Sequence, residues 1–276
     1  MELYKLDAQR ETLERVDPCG TGNVTSSLTP RRETQVLLDR ASSALAPLVA
    51  LSPESIRAHA SPHTQEVVLR FRGLAFARWL DNKIYFGSDS IWEELRNKNE
   101  PALKQLISNL QNFRNPLAGN VRHALCRGQA GRWMQTLVFQ DVTRIDIALA
   151  PEYVYEQVFA QVARQHGVLD LLCVTRSRRL AILELKAAEN VDLPLQAADY
   201  CSRIRWHQSQ GDFARYGYFP GLELQPAPPL VYLIAPALRF HPTTEVLRRY
   251  LSRDIEVIRL GFAESWRRGL RVMFRQ

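Results

Sequence analysis

Two carboxylates stand inside the most apolar runs of this sequence. Asp170 lies within VLDLLCV (168–174), Glu184 lies within LAILEL (180–185), and Lys186 follows directly. Runs of this kind read as strands covered on both faces, and the polar stretch TRSRR (175–179) between them reads as a turn. Burying an ionised carboxylate is costly unless the group is paired or bound to a metal. Adjacent strands would bring both acids to one sheet edge, where their oxygens make a hard site suited to Mg²⁺ or Mn²⁺. Glu184 and Lys186 are two apart and point to the same side of a strand. The ammonium can therefore orient or deprotonate a water there, or stabilise developing charge. The plainer alternative is an ion pair of Lys186 with Asp170 or Glu184 at a strand end. The buried context of all three residues favours a site.

The surrounding elements must hold these groups. PEYVYEQVFAQVARQH (151–166) reads as a helix opened by Pro151, with Val154, Val158 and Val162 on one face and Gly167 ending it. Glu152 and Glu156 are four apart and would share a face of it. Beyond Lys186, LPLQAADYCSRIRWH (193–207) reads as a second helix, with Gln196 and Tyr200 one turn apart. Arg203 and His207 continue that face, either as phosphate or base contacts or as a solvated polar face. LVYLIA (230–235) reads as a buried strand, Thr243 or Thr244 as the cap of a helix to about residue 251, and IEVIRL (255–260) and LRVMF (270–274) as further strands. Strands alternating with helices imply a three-layer α/β arrangement.

The order of acid-bearing strand, turn and strand ending Glu184-Leu185-Lys186 resembles the PD-(D/E)XK nuclease superfamily. Gln196-x-x-x-Tyr200 on the following helix is similar to the Gln-x3-Tyr motif of its RecB-like and Cas4-like branch. The resemblance covers residues 150–260. One position departs from the pattern: Leu169, not proline, precedes Asp170. The resemblance implies a restriction-endonuclease-like core, a mixed central sheet flanked by helices, performing Mg²⁺- or Mn²⁺-dependent hydrolysis of DNA phosphodiesters. It implies that Asp170, Glu184 and the Leu185 backbone carbonyl hold the metal. Glu156, or alternatively Glu152, supplies the helix acid. Lys186 activates or orients the nucleophile, and Gln196 and Tyr200 support the site or the substrate strand, with Arg203 and His207 beside them. Two other readings stand alongside: an RNA-directed nuclease on the same fold, and a non-catalytic module that binds nucleic acid.

Residues 1–149 carry no comparable motif and read as a separate α+β domain, followed by a nuclease-like domain over 150–276. Residues 17–30, DPCGTGNVTSSLTP, read as a loop. A helix is expected over 33–50, a meander over 66–71, 74–80 and 83–86, a helix from about Ile91 capped by Ser88 or Ser90, a helix over 102–113, and strands over 133–139 and 142–148. Basic residues Arg70, Arg72, Arg78, Lys83, Lys98, Arg114, Arg122, Arg127 and Arg132, with Trp79, Tyr85, Phe86 and Trp133 among them, are the makings of a nucleic-acid groove. The plainer alternative is a solvated basic face over an aromatic core.

Composition sets the frame. The chain has 276 residues, is 46% hydrophobic and 24% charged, and carries a formal charge of +7. A mild cationic excess suits a polyanionic partner, and Arg267, Arg268, Arg271 and Arg275 make the C-terminus basic. The four cysteines, Cys19, Cys126, Cys173 and Cys201, have no zinc spacing. With no apolar leader and no apolar run near the length of a membrane span, a cytoplasmic protein with reduced thiols is expected. A homodimer is compatible with this reading.

Overall fold

The computed structural model describes residues 3–7, 11–16, 26–88, 91–162 and 168–276. Cys19 and most of the stretch 17–30 lie outside them, although the loop expected there is preceded by a hairpin, β1 (Leu3–Asp7) and β2 (Thr12–Val16). A short strand β3 (Ser26–Leu28) leads into helix α1 (Arg31–Ala50), which buries Leu37, Ala41, Leu45 and Leu48 at helical spacing. Five antiparallel strands follow: β4 (Ile56–Ser61), β5 (Glu66–Phe71), β6 (Leu74–Leu80), β7 (Lys83–Ser88) and β8 (Ile91–Glu94). Helix α2 (Glu100–Phe113) turns Leu103, Ile107 and Leu110 inward. With α1 it covers one face of this sheet over a core of Val67, Leu69, Phe71, Phe76 and Trp79.

The larger sheet has seven strands in the order β14-β13-β12-β11-β10-β9-β3. These are β9 (Leu149–Val162), β10 (Val168–Thr175), β11 (Leu180–Leu185), β12 (Leu230–Pro236), β13 (Val257–Phe262) and β14 (Val272–Arg275). β10 and β11 form the expected antiparallel pair, and β11–β12 and β12–β13 are parallel. Parallel neighbours need crossovers; α5 (Leu193–Ser209) makes the first and α7 (Thr244–Arg249) lies in the second. On one face α5 lays Leu193, Ala197, Cys201 and Ile204 against Leu172, Val174 and Ile182. On the other, the short α3 (Ala124–Arg127) leads into α4 (Ala130–Gln140), which packs Trp133, Met134 and Val138 against Leu171, Cys173, Leu183 and Ile234. This is a mixed sheet flanked by helices on both faces, with the five-stranded antiparallel sheet and its two helices beside it. Among the described residues no helix is long and apolar enough to cross a membrane.

Four expected elements differ. Residues 151–162 form strand, not helix: a run rich in tyrosine, valine and phenylalanine gains more from pairing along β10 than from a valine spacing of four. Residues 133–139 form a helix, not a strand, because burial falls on Trp133, Met134 and Val138, neighbours on a helical face. Residues 142–148 give a 3₁₀ turn, Val142–Arg144, rather than a strand. Ile91 begins β8, which extends the meander; Ser90, one proposed cap of a helix there, lies outside the described residues.

Candidate active site

The acids sit where two strands part. β10 and β11 are in register from Val174↔Leu180 to Leu171↔Leu183, and the ladder stops one residue short of Asp170 and Glu184. A side chain then replaces a ladder bond. The Leu185 amide donates to Asp170 Oδ2 at 3.0 Å. β10 also exchanges faces here. Leu169 and Leu171 would share a face in a regular strand, yet they fall in opposite cores. Across from Asp170, Gln157 of β9 holds a φ of +50°, a conformation uncommon outside glycine. The irregularity frees the Asp170 side chain from both cores and leaves it at the open end of the β10–β11 ladder.

Electrostatics mark the pair. Glu184 is almost wholly buried; its Oε1 accepts from Lys186 Nζ at 2.9 Å, while Oε2 is buried without a hydrogen-bond partner. Burial first, and the Asp170 charge second, push the Glu184 carboxyl up to about 8. Burial also raises Asp170, against Arg132 and Lys186, which pull it down. Tyr200 on α5 is pushed up to about 12 by burial and then by the charges of Glu184 and Asp170, and its hydroxyl donates to the Val168 carbonyl at 3.2 Å. Tyr200 thereby fixes the start of β10 two residues before Asp170.

The opposite wall of the site comes from before residue 150. Asp170, Leu185, Lys186, Ala187, Glu189 and Asn190 face Arg70, Gln129, Gly131 and Arg132 across an open cleft of about 630 Å³. Arg132 Nη1 reaches Asp170 Oδ1 at 3.3 Å and Gln135 Oε1 at 2.7 Å. Gln135, itself buried, donates to the Asp170 carbonyl at 3.0 Å. Two devices hold α4 in place. Gly73, at a φ of +85°, passes so close to α4 that a Cβ there would lie 2.4 Å from the Arg132 carbonyl carbon. Arg114 is fully buried and donates to the carbonyls of Phe71, Arg72, Leu125 and Gly128, which ties the β5–β6 turn to the segment leading into α4.

The structure therefore brings Asp170, Glu184, Leu185, Lys186 and Tyr200 together. Gln196 lies one turn before Tyr200 on α5, half-buried. Arg203 is buried, paired with Asp199 at 2.5 Å and set 5.7 Å from the Tyr200 ring. His207 is buried, with its ring nitrogens bonded to Asp212 and Ser26, so it joins α5 to β3 and α6 (Asp212–Arg215) instead of facing the cleft. Glu152 is exposed on β9. Glu156 takes its contacts from Arg57 at 3.6 Å and His59 at 4.0 Å. Burial pushes Glu156 up to about 7, and burial with the charges of Arg70, Arg132 and Arg57 drives His59 down to about 3. Among the described residues no three His, Cys, Asp or Glu side chains stand close enough to share a metal, so Glu156 is outside the Asp170–Glu184 pair.

The expected groove loses several members. Trp79, Phe86 and Trp133 are core residues and Arg114 is an internal staple, because the small sheet and α4 need that apolar volume. At the C-terminus, Arg275 pairs with Asp146 at 2.5 Å and Arg267 stacks on Trp266. Arg132 and Gln135 are the site residues that sequence reasoning missed as such. Their contacts span 38 and 35 residues, and no local spacing signals them.

No protein-family model matches the chain, and no curated protein matches it. Among solved structures it is similar to a crystal structure of a repair endonuclease from Pyrococcus abyssi, at a TM-score of 0.32 and 15% identity. That alignment covers 48% of this chain and 46% of the other, less than half of each. At this level nothing about function transfers between the two.

Proposed function

We propose that the chain is a divalent-metal-dependent nuclease that hydrolyses phosphodiester bonds, with DNA as its substrate. The observation that carries this is the buried, unpartnered Glu184 Oε2 beside Asp170 and Lys186 at the strand fork. Burial disfavours the anions of both acids, and an all-oxygen donor set of this kind suits Mg²⁺ or Mn²⁺. Asp170, Glu184 and the Leu185 carbonyl would hold such an ion, which when bound polarises a phosphoryl oxygen and acidifies water. Lys186, anchored on Glu184, is placed to orient the attacking water or take its proton. Tyr200 keeps β10, and with it Asp170, in position. Gln196 lies on the same stretch of α5 and supports the substrate strand.

The test is cleavage of end-labelled DNA and RNA of one sequence with Mg²⁺, with Mn²⁺ and with EDTA, by the wild type, Asp170→Asn and Glu184→Gln. Asn keeps an oxygen acceptor for the Leu185 amide, so the fork survives. Loss of several kcal/mol of metal-supplied stabilisation slows cleavage roughly a thousandfold or more. Undiminished cleavage by Asp170→Asn, or equal cleavage in EDTA, sinks the proposal. Binding without cleavage in any metal identifies a non-catalytic binding module, and faster cleavage of RNA reassigns the substrate.

A further inference from the structure

Resting on that reading, we propose that Arg132 is a phosphate-binding residue parked on the metal site: it occupies Asp170 until a divalent ion displaces it, and then grips the substrate backbone. Three observations lead there. First, a single nitrogen, Nη1, makes both of its bonds, the loose one of 3.3 Å to Asp170 and the one of 2.7 Å to Gln135. Nε and Nη2 make no hydrogen bond among the described residues, so most of a fork built for paired phosphate or carboxylate oxygens is unused. Second, Arg132 lines the cleft with Lys186 and Arg70, and Arg70 Nε is buried and unpartnered. Third, α4 is rigidly placed. Gly73 and Arg114 fix its backbone and Gln135 ties it to β10, so the guanidinium can swing while its Cα stays.

Charge balance gives the order of events. Arg70, Arg132 and Lys186 line the cleft with Asp170 and Glu189, and Lys186 also bonds the buried Glu184, so three cations stand against three carboxyl groups. With Asp170 and Glu184 engaged by a divalent ion, Arg132 would lose its hold on Oδ1 and the cleft would carry net positive charge. A phosphodiester strand restores the balance. Metal binding and strand binding are thereby coupled through one side chain: the arginine opposes the ion and favours the strand.

The test measures Mn²⁺ alone by calorimetry, and a fluorescent DNA oligonucleotide in Ca²⁺ across a salt series, for the wild type, Arg132→Gln and Arg132→Lys. Arg132→Gln should take up Mn²⁺ roughly three- to tenfold more tightly, because the competitor is gone. It should bind the oligonucleotide more weakly, with the log–log salt slope smaller by about one. Arg132→Lys keeps the charge but not the fork. It should hold Mn²⁺ affinity near the wild type yet still lose oligonucleotide affinity, and its unchanged melting temperature separates this from misfolding. Equal or weaker Mn²⁺ binding by Arg132→Gln, or an unchanged salt slope, overturns the inference and leaves the nuclease reading intact. Failure of every protein to bind Mn²⁺ overturns the metal reading and this inference with it.

Discussion

Replacing Arg114 by alanine should destabilise the fold by about 3–5 kcal/mol, since each buried carbonyl left without its donor costs roughly 1–3 kcal/mol and relaxation recovers part of the sum. The guanidinium is fully buried with no carboxylate paired to it among the described residues, and burial draws it down to about 9. Its stabilisation comes from four good bonds to carbonyls: Leu125 and Gly128 at 2.7 Å, Arg72 at 2.9 Å and Phe71 at 3.1 Å. The ring of Trp133 lies 4.8 Å away. Charge-assisted bonds contribute roughly 1.5–3 kcal/mol each, and the cost of dehydrating the cation offsets much of the total. Truncation reverses that balance unfavourably, since it leaves the carbonyls buried and unmatched while opening a cavity beneath Trp133. Arg114→Lys, whose three donors cannot span four carbonyls, should lose about half as much. Urea denaturation followed by tryptophan fluorescence reads the change as a shift in midpoint at constant slope. A loss below about 1 kcal/mol in Arg114→Ala would refute the view that this staple holds the site's outer wall.

Three further outcomes follow from the same geometry. Gly73→Ala should cost roughly 2–3 kcal/mol, because the new Cβ meets the Arg132 backbone at a positive φ; thermal unfolding checks it, and a neutral result rejects the close approach. Glu156→Gln should stabilise the protein at pH 8 by on the order of 2 kcal/mol. Glu156 is raised to about 7, so its stabilising contribution is full below the ordinary glutamate value and disappears as pH climbs through about 7. The gain should therefore shrink toward zero near pH 4.5, and a gain that grows on acidification contradicts the burial cause. Lys186→Gln should reduce cleavage roughly 10²- to 10⁴-fold, with calorimetric Mn²⁺ affinity kept; a parallel loss of Mn²⁺ binding would mean that the lysine organises the carboxylates instead of acting on water.

The fork that carries Asp170 and Glu184 was legible because apolar strands interrupted by carboxylates are costly, and that cost shows in the sequence itself. The strand over 180–185 and the helix over 193–207 were legible because length and period there favour one element only, and the helix runs on to Ser209. β9 misled because Val154, Val158 and Val162 repeat at four, a helical spacing, whereas in the strand Val154 and Val158 fall on opposite faces across the irregularity at Gln157. α4 misled because Trp133 to Phe139 is rich in strand-favouring residues and its burial is decided by the large sheet behind it. Arg132, Gln135 and Arg114 act through contacts to distant segments, so their roles were out of reach of any local pattern. His207 looked like a helix-face cation in sequence, but its partners Asp212 and Ser26 are set by how α6 and β3 fold back.

The strand fork has a consequence for portability. A fragment beginning at residue 150 would carry every residue of the recognisable motif, yet neither Arg132 nor Gln135. It would also expose the face of Leu171, Cys173, Leu183 and Ile234 that Trp133, Met134 and Val138 now cover, an apolar patch of the kind that drives aggregation. The smallest transplantable unit therefore starts upstream of α4. A cut at the edge of the motif would keep Asp170, Glu184 and Lys186 and lose the two side chains that hold Asp170 from outside the large sheet.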